Sequence, residues 1–281
     1  MEQDKILSSN LLSPVLIGGL GNRLYQIYQC IATSHQFNKK WSIQPLGQDI
    51  ESQIASILGI KSNAFQENGG HPSKYNLTQV FDLPFETNPI NTTRLIQEHS
   101  LAQSPGNNKL FSHIPDTLNL HINGCWFQKF WYDYCVYHHL DLKFKTDFSN
   151  LKLYKNVLHL RFVYQYDNYG LDKPDYDAIH EIMSKISLTN NDSWAILTND
   201  PSQIQEKFTK ADIFGPNDLD VYETLYLGSK AENLIMAPST LSAWMAYLES
   251  DKIHKKVFVP NSFIQLHGMQ AIDLSWTVFG K

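Results

Sequence analysis

Asn156–Tyr164, "NVLHLRFVY", reads as a buried strand in which Leu158, Leu160 and Phe162 share one face and His159 and Arg161 the other, since side chains two apart point the same way. The segments that follow repeat the theme. "DYDAIHEIMSKI" (Asp175–Ile186) predicts a helix, "SWAILTND" (Ser193–Asp200) a strand, and "PSQIQEKF" (Pro201–Phe208) a helix started by Asp200 before its proline. "ADIFG" is a strand, "DLDVYETLYLGSKA" a helix, "NLIMA" a strand, "STLSAWMAYLE" a helix and "KVFVP" a strand. Strands alternating with helices of this length predict parallel βαβ units covered on both faces, a doubly wound domain.

Toward the N-terminus the same style opens the chain. "SPVLIGG" reads as a short strand, and "NRLYQIYQCIATSHQF" places Leu24, Ile27, Tyr28 and Ile31 at three- and four-residue spacing, one helical stripe. "KWSIQPL" predicts a second strand and "DIESQIASILGI" a second helix capped by Asp49. From about Lys61 to Gln103 the pattern breaks into loops and short edge strands; "LNLHINGCWFQ" is again a strand and "KFWYDYCVYHHLDL" an aromatic-rich helix. The two halves predict two Rossmann-like α/β domains facing each other across a cleft, residues 1–150 and 151–281, with the boundary in "KFKTDFSNLKLYKN".

Composition narrows the classes of function. The 281 residues are 42% hydrophobic, enough for a sizeable core, and the net charge of −5 with scattered acids and bases offers no basic face for nucleic acid. Three cysteines, Cys30, Cys125 and Cys135, form no pair at metal-ligand spacing and fit free thiols in a reducing compartment. No apolar run approaches the ~20 residues of a membrane span, and the polar start "MEQDKILSSN" shows no secretion signal, so the cytoplasm is the expected location, with peripheral membrane association left open. The sequons at Asn76, Asn91 and Asn191 carry no weight in that setting.

Three short motifs carry chemistry, each beside a plainer reading. Gly18, Gly19 and Gly21 in "GGLGNR" fail as a dinucleotide fingerprint, because Leu24 stands where the third glycine should be, and fail as a P-loop, because no Gly-Lys-Ser/Thr follows. The junction is a structural turn or an anion site: a helix starting there aims N–H groups and a positive dipole end outward, with Arg23 alongside. His159 and Arg161, at the C-terminal end of a parallel strand, would reach the ligand crevice of an open sheet, or else are an edge arginine and a hydrogen-bonded histidine. In "PSTLSAW", Ser239 or Thr240 caps a helix, and the same hydroxyls and N–H groups make an anion cradle.

Together these motifs resemble those of family 11 glycosyltransferases, the α-1,2-fucosyltransferases that use GDP-fucose. "GGLGNR" is similar to that family's Gly-Gly-Leu-Gly-Asn-Gln signature, "HLRFVY" to its His-x-Arg-Arg-x-Asp strand, and "PSTLSAW" to its Asn-Ser-Ser/Thr-Phe-Ser-Trp-Trp segment, in the same order and spacing. The resemblance implies a GT-B fold, inverting transfer of fucose to a sugar hydroxyl of a glycan acceptor, and no metal or other cofactor beyond the donor. By resemblance, Arg161 grips the diphosphate as GDP leaves and is the catalytic residue. His159 contacts the nucleotide, and Ser239, Thr240 and Ser242 hold phosphate or ribose. Asn22 and Arg23 approach the donor from the first domain, and Glu223 accepts from guanine N–H groups. The physics agrees with the first role, since a fixed cation and helix-end dipoles stabilise a departing diphosphate.

The chain departs from the family pattern at Phe162 for the second arginine, Tyr164 for the acid, Pro238 before Ser239, and Arg23 for the glutamine. Arg23 is one candidate for the charge missing at Phe162. The acceptor base is not singled out among His35, His121, Asp133, His138 and His139. The competing readings are an inverting transferase with another nucleotide sugar and a non-catalytic sugar- or nucleotide-binding module.

Overall fold

Six parallel strands in the order β10-β9-β8-β5-β6-β7 form the larger sheet: β5 (Asn156–Leu160), β6 (Trp194–Thr198), β7 (Asp212–Phe214), β8 (Asn233–Ile235), β9 (Lys256–Pro260) and β10 (Thr277–Phe279). The computed structural model describes residues 11–43, 73–85, 94–97, 120–123, 129–162, 173–187, 193–248 and 254–280. The chain divides into two compact units, one of Met1–Pro72 with Asn76–Lys145 and one of Ser73–Tyr75 with Thr146–Lys281.

The second unit carries the six-stranded sheet, an α/β fold with the parallel pairing that the strand–helix alternation predicts. Every residue of β5 and β6 is buried, as central strands covered on both faces must be. Three chain-sequential strands run outward from β5 in one direction and three from β8 in the other, so the order reverses between β5 and β8. That reversal is the topological switch point of an open sheet, where the strand ends leave a crevice.

Helix α4 (Tyr176–Ser187) covers one face, packing Ile179 and Ile186 with Leu158, Leu160, Ile196 and Ile235; Phe162 packs against the same cluster. Helices α5 (Val221–Ser229) and α6 (Thr240–Tyr247) pack on each other. Their close approach depends on Gly228, where a Cβ would lie 2.5 Å from Met245 Sδ, 2.6 Å from its Cγ and 3.0 Å from its Cβ. Met245 is fully buried. Gly228→Val is therefore expected to lower stability by about 1–3 kcal/mol through overpacking, read from urea denaturation, and Met245→Ala in the same chain should recover part of the loss. Full stability of the single Gly228→Val variant would contradict this packing account. Across the other ends of these helices, Lys255 Nζ donates to the carbonyls of Ser229 (2.6 Å) and Met245 (2.8 Å), a cation set against two helix C-termini.

The first unit has four parallel strands in the order β2-β1-β4-β3: β1 (Leu11–Pro14), β2 (Lys40–Trp41), β3 (Arg94–Gln97) and β4 (Leu120–Asn123). Its main helix α1 (Leu20–Gln36) is buried on nearly every side, polar Gln26, Gln29, Thr33 and Ser34 included. A single turn α2 (Leu77–Val80) starts at Asn76, whose side chain accepts from the Gln79 N–H, and α3 (Lys129–Tyr137) packs on α1. There the Leu142 N–H donates to the Tyr28 hydroxyl (3.0 Å), and Cys30 and Cys135 are free and buried. Burial raises both thiols, Cys135 to about 12, so neither is a thiolate at neutral pH.

Several boundaries differ from expectation. Strand β1 ends at Pro14 rather than running to Gly19, because a proline has no N–H to continue a ladder. "PSQIQEKF" is no full helix: only Pro201–Gln203 form a 3-10 turn, and Ile204 and Phe208 alone enter the core. The Asp200 carboxylate accepts from Ser202 Oγ and from Gln203 Nε2 (2.7 Å), which satisfies polar groups locally in a turn. Helix α7 (Asn261–His267) and edge strand β10 add to the second unit beyond the last strand expected from the sequence. The helix expected at 49–60, Cys125, Asn91, Tyr164 and Asn191 lie outside the described residues.

Candidate functional site

Two of the three sequence motifs meet at the switch point of the second sheet. His159 is the fourth residue of β5 and Arg161 the first beyond it, while β8 runs through Met236, Ala237 and Pro238 into Ser239, the N-cap of α6. The β5 alternation sorts the side chains: Leu158, Leu160 and Phe162 join the α4 core, and His159 and Arg161 face α6. Phe162 is thereby a core residue, and its backbone is clamped by Asn199, whose Oδ1 accepts the Phe162 N–H at 2.6 Å.

Arg161 Nη1 donates to Ser239 Oγ at 3.3 Å, and the same oxygen accepts the Leu241 N–H at 3.3 Å. Ser239 thus caps its helix and holds the guanidinium at one point. Ser242, one turn into α6, has Oγ accepting the Ala237 N–H at 3.1 Å and bonded to His159 Nδ1. Burial, with the adjacent Arg161 charge as a second cause, lowers the His159 imidazole to about 3. At neutral pH it is an uncharged hydrogen-bonding group. Thr240 is the first residue of α6 and is buried.

A cavity of about 320 Å³ opens at this edge, lined by Leu160 and Arg161 at the end of β5, Met236–Pro238 after β8, Pro260–Ser262 at the end of β9, Phe279 and Gly280 at the end of β10, and Lys173–Asp175 and Ile179 at the start of α4. Its size is at the small end of the range for small-molecule sites. Among these lining residues, Lys173, Asp175 and the β10 end carry no signal in the sequence reading; the first two come to Arg161 as the start of the helix that follows β5, and the sheet order brings the β10 end.

Glu223 lies in the first turn of α5, 5% exposed. Its Oε2 accepts the Asp220 N–H (2.8 Å) in a capping box, and its Oε1 pairs with Lys74 Nζ (2.6 Å). Asp220 in turn accepts from Ser73 Oγ (2.7 Å) and the Lys74 N–H (2.9 Å), so residues 73–75 are pinned to this helix start.

Asn22 and Arg23 belong to the first unit, just after the turn that leaves β1 between β2 and β4, which is that sheet's own switch point. Gly18 has φ +80°, and a Cβ there would lie 2.8 Å from Asn22 Nδ2. Arg23 Nε donates to the Gly18 carbonyl at 2.8 Å, and the Gln26 amide clamps Ile17 by accepting its N–H (2.8 Å) and donating to its carbonyl (3.3 Å). The glycine turn is knitted by its own helix, with Arg23 only 4% exposed.

Among the described residues no three His, Cys, Asp or Glu side chains are grouped to hold a metal ion, and no helix is long and apolar enough to cross a membrane.

Neither a protein-family model nor a curated protein sequence matches the chain. Solved structures do. POFUT1 in complex with GDP aligns with a TM-score of 0.52 at 10% identity, over 89% of this chain and 97% of that one. NodZ α-1,6-fucosyltransferase co-crystallised with GDP aligns at 0.51 and 9%, over 85% and 92%, and the POFUT1 apo-form at 0.51 and 12%, over 88% and 97%. The chain shares the fold of these fucosyltransferases. At such identities the likeness is one of fold, and the site's chemistry has to be argued from the residues present.

Proposed function

We propose that this chain is a glycosyltransferase that moves fucose from GDP-fucose to a sugar hydroxyl. The observation that supports it is the placing of Arg161 against the capped start of α6, at the switch point of a sheet whose fold is shared with GDP-binding fucosyltransferases. The bond between the sugar C1 and the diphosphate oxygen breaks as the acceptor oxygen attacks C1 from the opposite face, and the acceptor proton passes to a base. Negative charge gathers on the departing GDP. Arg161 and the N-terminal N–H groups of α6 meet it, a metal-independent means of stabilising the leaving group.

In this reading the transfer inverts C1 and forms an α-1,2 linkage, as the resemblance to family 11 suggests. Residues 1–150 and 151–281 act as acceptor-side and donor-side domains. Ser239 and Thr240 hold phosphate or ribose. Ser242 and neutral His159 complete the nucleotide wall, and Glu223 reads guanine if Lys74 releases it.

Calorimetric titration with GDP, UDP and dTDP, followed by incubation with labelled GDP-fucose and a galactoside panel in EDTA, tests the proposal. Selective GDP binding and EDTA-insensitive transfer are expected. Absence of GDP binding would overturn the donor assignment, and tight GDP binding with no transfer to any acceptor would leave a nucleotide-binding module in place of an enzyme.

A further inference from the structure

The cavity at the ends of β5, β8, β9 and β10 carries three charged side chains, Arg161, Lys173 and Asp175. The Asp175 Oδ1 accepts the Ala178 N–H at 3.0 Å in the first turn of α4, so the carboxylate stays at the cavity wall. Arg161 and Asp175 alone cancel in formal charge, which leaves only the start of α6 to attract a dianionic diphosphate. Lys173 changes the sign. It is exposed, and among the described residues it makes no hydrogen bond or ion pair.

We propose that Lys173 is the second cation of the diphosphate cradle in this cavity, with Arg161 as the first; the assignment rests on the donor reading above. The two cations divide the work by their chemistry. Arg161 is planar and held in place by Ser239, suited to a fixed, oriented contact, while Lys173 is a point charge on a flexible stem that closes on phosphate once the ligand is bound. Arg23, the other cation suggested by the sequence, is engaged in its own turn, where its Nε holds the Gly18 carbonyl.

Calorimetry on the full chain separates the possibilities. Lys173→Ala is expected to weaken GDP binding by about 10- to 100-fold, the range for one charge-assisted hydrogen bond, with Lys173→Arg within about threefold of the wild type on the same scale. Guanosine, which lacks phosphates, should bind both variants as it binds the wild type. The salt dependence of GDP affinity should flatten in Lys173→Ala. A wild-type chain that binds GDP and a folded Lys173→Ala variant that binds it equally well would overturn the Lys173 assignment alone. An equal loss for guanosine would overturn it as a phosphate contact. A wild-type chain that binds no GDP defeats the donor reading and this assignment together.

Discussion

Replacing Arg161 by alanine is expected to reduce fucose transfer by about 10²–10³-fold at saturating donor, the scale of losing one fixed donor aimed at developing charge. The side chain sits just past the end of β5 with its Nη1 on Ser239 Oγ at 3.3 Å, outside the hydrophobic cluster that holds the sheet. Removing it leaves Ser239 still capping α6 through the Leu241 N–H, so the melting temperature should be little changed. Arg161→Lys keeps the charge but loses the planar fork, and should fall between the two. Turnover and GDP affinity measured on the same preparations decide the matter. Transfer by Arg161→Ala within threefold of wild type would exclude Arg161 from leaving-group stabilisation.

Stability is expected to fall steeply as pH drops from about 6.5 toward 4.5. His159 is lowered to about 3, by burial first and the Arg161 charge second, and His267 to about 4 by burial. Both folded values lie below the ordinary histidine value of about 6.5, so in this window the unfolded chain binds protons that the folded chain refuses. The sign follows: stability is full above about 6.5 and is lost as pH falls, by up to ~1.4 kcal/mol per pH unit for each histidine. Two histidines over two units amount to roughly 4–5 kcal/mol, comparable with the whole stability of many domains. The lowered carboxylates Asp147, Asp200 and Asp212 are exposed groups that titrate further down and do not set this window. Urea midpoints between pH 7.5 and 4.5 measure the slope. His267→Phe, which keeps a ring against Phe263, should remove about half of it; an unchanged slope would show that His267 is not held neutral by burial.

The motifs were legible in the sequence because each is local. The i, i+2 rule places His159 and Arg161 opposite Leu158, Leu160 and Phe162, and the structure sorts them in that way. Ser239 is recognisable as a helix cap from its position after an apolar strand, and it caps α6. Other features were not legible. Strand β10 is mostly exposed, so no alternation marks it, and it exists because β9 offers an open edge for pairing. Glu223 reads as a site carboxylate by its place before the third motif, yet its two oxygens are used by the Asp220 N–H and Lys74, a partner nearly 150 residues earlier in the chain.

The amino-acid sequence alone determined the parallel α/β architecture of the second half, the glycine turn before α1, and the pairing of a strand-end arginine with a serine-capped helix. Periodicity, turn chemistry and capping depend on residues a few positions apart, and near neighbours express them whatever the rest of the chain does. The tertiary structure decided which segments share a cavity. Lys173 and Asp175 come to Arg161 because α4 follows β5 directly, but Pro260 and Phe279 join them only because the strand order reverses between β5 and β8 and the edge strands β9 and β10 extend one side of the crevice. The tertiary structure also decided that Arg23 braces its own turn, since its side chain returns to the Gly18 carbonyl and is buried there. Sheet order is a property of pairings between distant segments, and no local pattern encodes it.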